Sequence, residues 1–144
     1  MPTVRDVLEG KGREVHHIRA EASVRDALCM MADYNIGSLV VLDEDHLIGI
    51  ITERDYARKI VLKGRTSLGT LVREIMSTKV VCARLDQSVE ECMAVMTAKS
   101  VRHLPVLDHK RLVGLVSIGD MVKAVIADQK FVIEQLAHYI HGVR

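Results

Sequence analysis

Aromatic residues are nearly missing from this chain, which has three Tyr, one Phe and no Trp in 144 residues. Proteins that bind single-stranded nucleic acid stack the bases on aromatic side chains, and this sequence offers little material for such platforms. General single-strand binding is therefore disfavoured. The same shortage predicts an aliphatic core, with some of the seven methionines filling its irregular gaps.

A dominant charge is missing as well. Lys and Arg number 20 against 19 Asp and Glu, and the basic residues form no stripe of the kind that follows a phosphate backbone. We therefore expect no nucleic-acid partner. The sequence also lacks an apolar run of membrane-spanning length and an N-terminal signal peptide, so we expect no membrane association and a cytoplasmic location.

Cysteine is scarce, and its spacing is uninformative. The three cysteines show no C-x-x-C pair and are odd in number, which predicts reduced, mostly buried thiols. His16 and His17 are adjacent in a predicted strand, so they point to opposite faces and make a poor chelating pair. We expect neither a bound metal nor a catalytic cofactor.

What the sequence does contain is an internal repeat. "GIITERD" at residues 49–55 returns as "GLVSIGD" at 114–120, and residues 23–61 align with 88–126 without a gap, ten of 39 positions being identical. Upstream, "TVRDVL" resembles "LVREIM", and the first copy carries three extra residues around "EGKGRE". The chain is an internal duplication.

Each copy has the periodicities of a β-α-β-β-α unit: short strands at 15–18 and 80–83, two helices, and two β-branched runs joined by a tight turn. The fold class is α/β (α+β), with two repeats packed pseudo-symmetrically through their sheets. We expect two helices to cover one face of each sheet, and Leu39, Val41, Ile48 and Ile50 to line the other face of the first sheet, which needs a second sheet. The predicted segments are repeat 1 (1–62), a linker (63–70), repeat 2 (71–127) and a C-terminal amphipathic helix (128–144), which packs on its own domain or forms an oligomer contact.

The repeated motif places a hydroxyl at the start of each second helix. Thr52 is a predicted N-cap, where free backbone N–H groups of the first turn can receive a phosphate. Asp55, one turn on, can accept hydrogen bonds from the two hydroxyls of a ribose, and Ser117 with Asp120 repeats the pattern. T-x-x-D and S-x-x-D are also ordinary capping boxes, and spacing alone favours that simpler interpretation.

The paired G-h-h-[TS]-x-x-D segments and "RHLPV" at 102–106 resemble the CBS domain, and the duplication resembles the tandem pair called a Bateman module. The resemblance covers residues 4–127 and is nearest to small stand-alone bacterial CBS-pair proteins. It implies a non-catalytic regulatory module, a homodimer that binds adenine nucleotides (AMP or NAD, or ATP or ADP) in clefts between the repeats and signals to a separate effector protein. It favours a ligand role for the motif over capping alone.

The same resemblance implies further site residues. Arg102 and His103 would lie near the ligand phosphates; Gly37 stands at the equivalent of Arg102, and Arg54 could supply the missing charge there. The adenine would meet the short strands and nearby aliphatic side chains, at His17, Ile18, Ile36, Val81, Ala83 and Val101. Pro105 interrupts a strand, which suits an edge or a position whose N–H faces away from the ladder.

Two other classes of function stay open. One is a structural interaction module in which the clefts are vestigial and the C-terminal helix binds a partner. The other is an enzyme whose active site is assembled on dimerisation, although the sequence shows no set of nucleophile, base and orienting group.

Overall fold

The computed structural model of the chain describes residues 1–141. Its architecture is mixed α+β, with two three-stranded sheets, as predicted. The described residues sort into two compact units: residues 14–81 with 109–113 form one, and residues 1–13, 82–108 and 114–141 form the other. These two groups are called the first-repeat unit and the second-repeat unit below.

The elements follow the predicted order, with a helix added before each repeat. The first half contains α1 (Val4–Lys11), β1 (His17–Arg19), α2 (Val24–Tyr34), β2 (Ser38–Asp43), β3 (His46–Thr52), α3 (Glu53–Tyr56) and a π-helical turn (Ala57–Val61). The second half contains α4 (Val72–Ile75), β4 (Ala83–Arg84), α5 (Val89–Lys99), β5 (His103–Asp108), β6 (Arg111–Ser117) and α6 (Ile118–His141).

Helices α2 and α5 begin where the sequence indicates. The Ser23 hydroxyl accepts the Asp26 N–H at 3.0 Å, and the Ser88 hydroxyl accepts the Glu91 N–H at 3.1 Å. Each serine satisfies one of the N–H groups that a helix start leaves without an intrahelical partner.

The face assignment in the first sheet was wrong. In the antiparallel pair β2–β3, Leu39 lies opposite Ile51 and Val40 lies opposite Ile50. Leu39 and Ile51 are buried in one apolar cluster with α2, so Ile50 belongs to the other face of the sheet. The prediction that grouped Leu39 with Ile50 needed a register shifted by one residue, which moves every side chain of a strand to the opposite face.

Pro105 lies in β5, the middle strand of the second sheet, so the edge alternative was wrong. In the first sheet the equivalent residue, Val40, donates its N–H to the His16 carbonyl at 3.4 Å. Proline has no N–H to donate, and the parallel ladder of the second sheet begins only at Ala83 opposite Val106. Pro105 therefore explains why β4 has two residues where β1 has three.

The helices that precede the repeats are exchanged between the two units. Helix α4 belongs to the first-repeat unit, where the Val72 N–H donates to the Ala22 carbonyl at 2.8 Å. Helix α1 belongs to the second-repeat unit, where the Val4 N–H donates to the Gln87 carbonyl at 2.9 Å. Each helix thus completes the unit formed mainly by the other copy of the repeat.

The glycine that opens each repeated motif makes room for one of these helices. A Cβ at Gly49 would lie 2.7 Å from the Met76 sulfur and 3.0 Å from the Ser77 carbonyl oxygen. At Gly114 it would lie 2.7 Å from a terminal methyl group of Leu8, a buried side chain of α1. The motif glycine is therefore a packing requirement in both units.

The predicted C-terminal helix is continuous with the last helix of the second repeat, because α6 runs through 24 residues. The prediction extended this helix to residue 144, and residues 142–144 lie outside the described part of the chain. No helix within residues 1–141 is both long enough and apolar enough to cross a membrane.

No disulfide joins the three cysteines, all of which lie within residues 1–141. Their burial was predicted only in part: Cys92 is buried and Cys82 partly so, but Cys29 on α2 is exposed. Burial raises the pKa of the Cys92 thiol, which keeps that side chain in its unreactive neutral form.

We expect Gly49→Ala and Gly114→Ala each to destabilise the protein by about 1–3 kcal/mol, because the new methyl group overlaps atoms of α4 or α1. The measurement is the denaturant midpoint. Gly10→Ala is the control, since a Cβ at that helical position meets nothing within 4 Å and should be neutral or stabilising. Equal stability of all three variants would contradict this packing role.

Candidate functional site

The first candidate corner lies where β3 runs into α3. Thr52 caps α3, and its N–H and hydroxyl both donate to Asp55 Oδ2, at 2.9 and 3.1 Å, while the Asp55 N–H donates back to Thr52 Oγ1 at 3.1 Å. Asp55 is a buried residue whose side chain is only 12% exposed. The motif is thus a complete capping box at the edge of the core.

A lysine completes this corner. Lys59, one turn beyond Asp55 on the same face, brings its ammonium to 3.1 Å from Asp55 Oδ1 and donates to the Ile75 carbonyl at 2.8 Å. A buried carboxylate needs such a partner, because its charge is poorly solvated.

The second candidate corner repeats this chemistry where β6 runs into α6. The Ser117 N–H donates to Asp120 Oδ2 at 2.8 Å, and the Asp120 N–H donates to Ser117 Oγ at 3.1 Å. The lysine here comes from α1: Lys11 Nζ lies 2.7 Å from the same Oδ2 and donates to the Leu115 carbonyl at 3.0 Å. Both corners therefore contain a capping aspartate neutralised by a lysine.

Electrostatics in the second corner favour an ionised aspartate beside a neutral histidine. Burial raises the pKa of Asp120, but hydrogen bonds from Lys11 and Ser117 outweigh burial and hold it below its ordinary value of 3.8. The pKa of His103 is lowered by burial and by the positive charges of Lys11 and Arg102, against an opposing effect of Asp120. Near neutral pH an ionised Asp120 carboxylate therefore lies in the same corner as a neutral His103 imidazole.

The expectation of free N–H donors at the helix starts was largely wrong. The Glu53 N–H donates to the Gly37 carbonyl at 3.1 Å, and the Ile118 N–H donates to the Arg102 carbonyl at 2.8 Å. The N–H groups of Asp55 and Asp120 are used within the caps. Any phosphate at these corners must therefore rely on side chains more than on the helix starts.

These same bonds show which predicted residues the structure brings together. Gly37 lies at the first turn of α3, with Ser38 of β2 opposite Thr52 of β3. Arg102 lies at the first turn of α6, beside partly buried His103. The predicted pairing of residues 37 and 102 with the two motifs is thus present in the backbone.

The predicted adenine contacts lie on the neighbouring strands and the helix ends before them. Ile36 and Val101 follow α2 and α5, and each donates its N–H back to a methionine carbonyl of that helix. His17 and Ile18 belong to β1, and β2 lies between β1 and β3. Two strand spacings, about 10 Å, therefore separate β1 from β3. Val81 precedes β4 and is assigned to the first-repeat unit, whereas Ala83 and Pro105 belong to the second-repeat unit.

Sequence reasoning missed the two lysines. Lys59 had a usable signal, because it follows Asp55 by four residues on a predicted helix. Lys11 had none, since 109 residues separate it from Asp120. Among residues 1–141 no group of three or more His, Cys, Asp or Glu side chains is arranged to hold a metal ion.

An exposed capping box elsewhere shows what capping alone requires. Thr3 and Asp6 at the start of α1 make the same three hydrogen bonds, at 2.9, 3.1 and 3.3 Å, on the surface. Burial of the aspartate and its lysine partner are what distinguish the Asp55 and Asp120 boxes from this one.

The lowered pKa of Asp120 predicts a pH-dependent contribution to stability. Because the folded carboxyl has a lower pKa than the unfolded one, its contribution is full above the ordinary value of 3.8 and is lost as pH falls through the folded pKa. Asp120→Asn should therefore destabilise the protein at pH 7, and the difference from wild type should shrink on acidification. Urea unfolding at a series of pH values measures this.

Asp86→Asn is the control for this test, since Asp86 and Arg84 form a surface ion pair with both side chains well exposed. Such pairs contribute little to stability. A constant difference between wild type and Asp120→Asn from pH 7 to pH 3 would contradict the assignment.

Comparison with known proteins shows the family of the chain. The family model of the CBS domain matches residues 4–62 and 72–127. A CBS-domain protein of Burkholderia ambifaria MC40-6 is 51% identical in structure-based comparison, with a TM-score of 0.85 over 88% of this chain and 96% of that one. The mitochondrial CBS domain-containing protein CBSX3 of Arabidopsis thaliana is 38% identical over 149 residues, covering 97% of this chain and 72% of that protein.

A further solved structure carries ligands. The CBS domain pair of protein MJ0100, in complex with 5′-methylthioadenosine and S-adenosyl-L-methionine, is 26% identical, with a TM-score of 0.79 over 89% of this chain and 98% of that one. Two matched segments, a shared fold and extensive sequence identity lead to one conclusion: the chain belongs to the CBS-domain family and carries two copies of the domain.

Proposed function

We propose that this protein is a non-catalytic regulatory module that binds adenine nucleotides at the Asp55 and Asp120 corners and passes the signal to a separate partner protein. The observation that carries the proposal is the pair of lysine-neutralised aspartates at equivalent places in the two repeats, Asp55 buried and Asp120 partly buried. The adenosine ligands of the MJ0100 pair support it. AMP and NAD are the proposed ligands, with ATP or ADP as further members of the class, and the proposed location is the cytoplasm.

The chemistry of the ribose supports the role of the two aspartates. Its 2′- and 3′-hydroxyls are neighbouring donors, which an ionised carboxylate accepts with both oxygens. Thr3 and Asp6 meet every requirement of capping on the protein surface, so capping alone gives no reason to bury Asp55 or to shield Asp120 partly from water. Ligand binding does give such a reason.

Side chains that donate hydrogen bonds, most of them cationic, supply the proposed phosphate contacts. In the second corner these are Arg102 and the neighbouring His103, whose imidazole can donate one hydrogen bond while neutral. In the first corner Gly37 replaces the arginine, so Arg54 and Lys59 are the proposed partners. The unequal charge predicts different affinities, and the two corners need not take the same nucleotide.

We expect Asp55→Ala and Asp120→Ala each to weaken nucleotide binding at one corner by about 1.5–3 kcal/mol, roughly tenfold to a hundredfold, through loss of the ribose acceptor. Native mass spectrometry with AMP, ATP, NAD and S-adenosylmethionine measures occupancy for each variant. The double variant should bind none of these ligands at concentrations that fill the wild type.

Ser23→Ala is the matched control, because it removes the N-cap hydrogen bond of α2 and alters neither the aspartate nor the lysine of either corner. It should lose a similar capping energy and keep full nucleotide binding. If the wild type bound no nucleotide at near-millimolar concentration, or if both site variants bound as well as wild type, the proposed function would be wrong.

Helix α6 supports a second role, association into a homodimer. Buried Met121 packs within the second-repeat unit, and the same helical face continues through Val132 and Leu136 to Ile140. These three side chains are 48%, 54% and 72% exposed. A second copy presenting the same face would cover them, as two-fold interfaces do.

We expect Leu136→Lys to dissociate the homodimer, because it places a charge in the centre of this apolar face. Glu134→Lys, two residues away on the opposite side of α6, is the control and should leave the dimer intact. Sedimentation velocity of the two variants measures the outcome. A monomeric wild type would refute the homodimer, and dimerisation without any nucleotide binding would favour the structural interaction module with vestigial clefts.

A further inference from the structure

The lysine of the second corner comes from a segment that the repeat does not require. Helix α1 has eight residues and α4, its equivalent before the second repeat, has four. The three extra residues of the first copy lie around "EGKGRE", which contains Lys11. The insertion therefore extends α1 far enough for Lys11 to reach Asp120.

The contact between Lys11 and Asp120 uses the atom that a ribose would need. Asp120 Oδ2 already accepts two donors, the Ser117 N–H at 2.8 Å and Lys11 Nζ at 2.7 Å, which fills its two lone pairs. A diol that engages both carboxylate oxygens requires one of these donors to leave. Ser117 N–H is fixed by the backbone, so the donor that can leave is Lys11.

The last turn of α1 can unwind at a small cost in free energy. Gly10 and Gly12 flank Lys11, and Gly12 ends the helix at φ 97°, a conformation that favours glycine. The first turn is anchored independently, through Val4 N–H to Gln87 O and Arg5 N–H to Leu85 O at 2.9 and 3.0 Å. Loss of the Lys11 contact would therefore loosen the end of α1 without detaching its start.

The contact is also open to a ligand. Lys11 and Asp120 lie together in a solvent-open groove of about 690 Å³ between α1 and α6, which Gly10, Lys123 and Ala124 also line. The first corner has no such arrangement, because Lys59 sits on the same helical segment as Asp55. At the second corner the aspartate pairs directly with a distant element, whereas at the first corner the link to α4 runs through Lys59 to the Ile75 carbonyl.

We propose that Lys11 is a latch on the second corner: a ligand whose ribose binds Asp120 displaces Lys11 and releases the C-terminal turn of α1, so that ligand occupancy is read out as a change in this helix. The inference rests on the proposed function of Asp120. Because displacement and binding are linked, a chain without the latch must bind the ribose more tightly.

The experiment uses 5′-methylthioadenosine, a nucleoside without phosphate, so that the charge of Lys11 exerts no direct attraction on the probe. An Asp55→Ala background restricts binding to the second corner. In that background Lys11→Met should bind the probe about three- to tenfold more tightly. Lys123→Met, which removes another lysine of the same groove, should leave affinity unchanged. Equal or weaker binding by Lys11→Met would overturn the latch.

Hydrogen exchange separates failure of the latch from failure of the proposed function. Without ligand, Lys11→Met should accelerate exchange of the Gly12 amide, which bonds to the Leu8 carbonyl at 2.7 Å. The probe should have the same effect on the chain that retains Lys11. Unchanged Gly12 exchange in Lys11→Met refutes the latch itself. A different outcome is faster Gly12 exchange in Lys11→Met while no chain, wild type included, binds the probe. That outcome refutes the proposed function, and with it the coupling of the latch to a ligand.

Discussion

The exchange of upstream helices between the two units is the constraint on which the rest of this structure depends. The backbone hydrogen bonds from Val4 to Gln87 and from Val72 to Ala22 join segments that are far apart in the chain. They place Leu8 over Gly114 and Met76 over Gly49, so the motif glycines follow from the exchange. They also bring Lys11 to Asp120, which a helix docked on its own repeat would not do.

Neutralisation of a buried carboxylate is the second constraint, and the two corners meet it differently. Asp55 takes its lysine from the same helical segment four residues on, at small cost in chain entropy. Asp120 has alanine at the equivalent position, Ala124, and takes its lysine from α1 instead. The absence of a lysine at 124 and the insertion that carries Lys11 are therefore complementary features of one sequence.

Local patterns predicted most of the fold. The repeat, the capping serines of α2 and α5, and the motif helices that start after Thr52 and Ser117 were all found from periodicity and spacing. The sheet register was not, because side chains alternate identically in either of two registers and only pairing decides which face is buried. Helices α1 and α4 escaped prediction for a similar reason: their short apolar pattern gains stability from distant backbone partners.

Local patterns likewise predicted one part of the candidate site and missed another. Thr52, Asp55, Ser117 and Asp120 carry a local signature, and the structure shows their caps in full. No such signature reveals that the Glu53 and Ile118 N–H groups donate to the carbonyls of residues 37 and 102. These bonds depend on tertiary packing, which brings the segments before β2 and β5 to the helix starts. Charge at these corners consequently comes from side chains, and a sequence motif alone overstates what the helix starts can offer.

The two corners share a motif, yet a ligand would meet different free-energy terms at each. Binding exchanges hydrogen bonds, so the net gain at an aspartate is the ribose contact minus the contact that it replaces. At the first corner the Lys59 ammonium pairs with Asp55 Oδ1 and also donates to the Ile75 carbonyl, while the Thr52 N–H of the cap donates to Oδ2. At Asp120 the ammonium shares Oδ2 with the cap, so the replaced contact is the one that fixes the end of α1. A duplicated motif can therefore present two aspartates at which displacement of the lysine by a ligand would have different structural consequences.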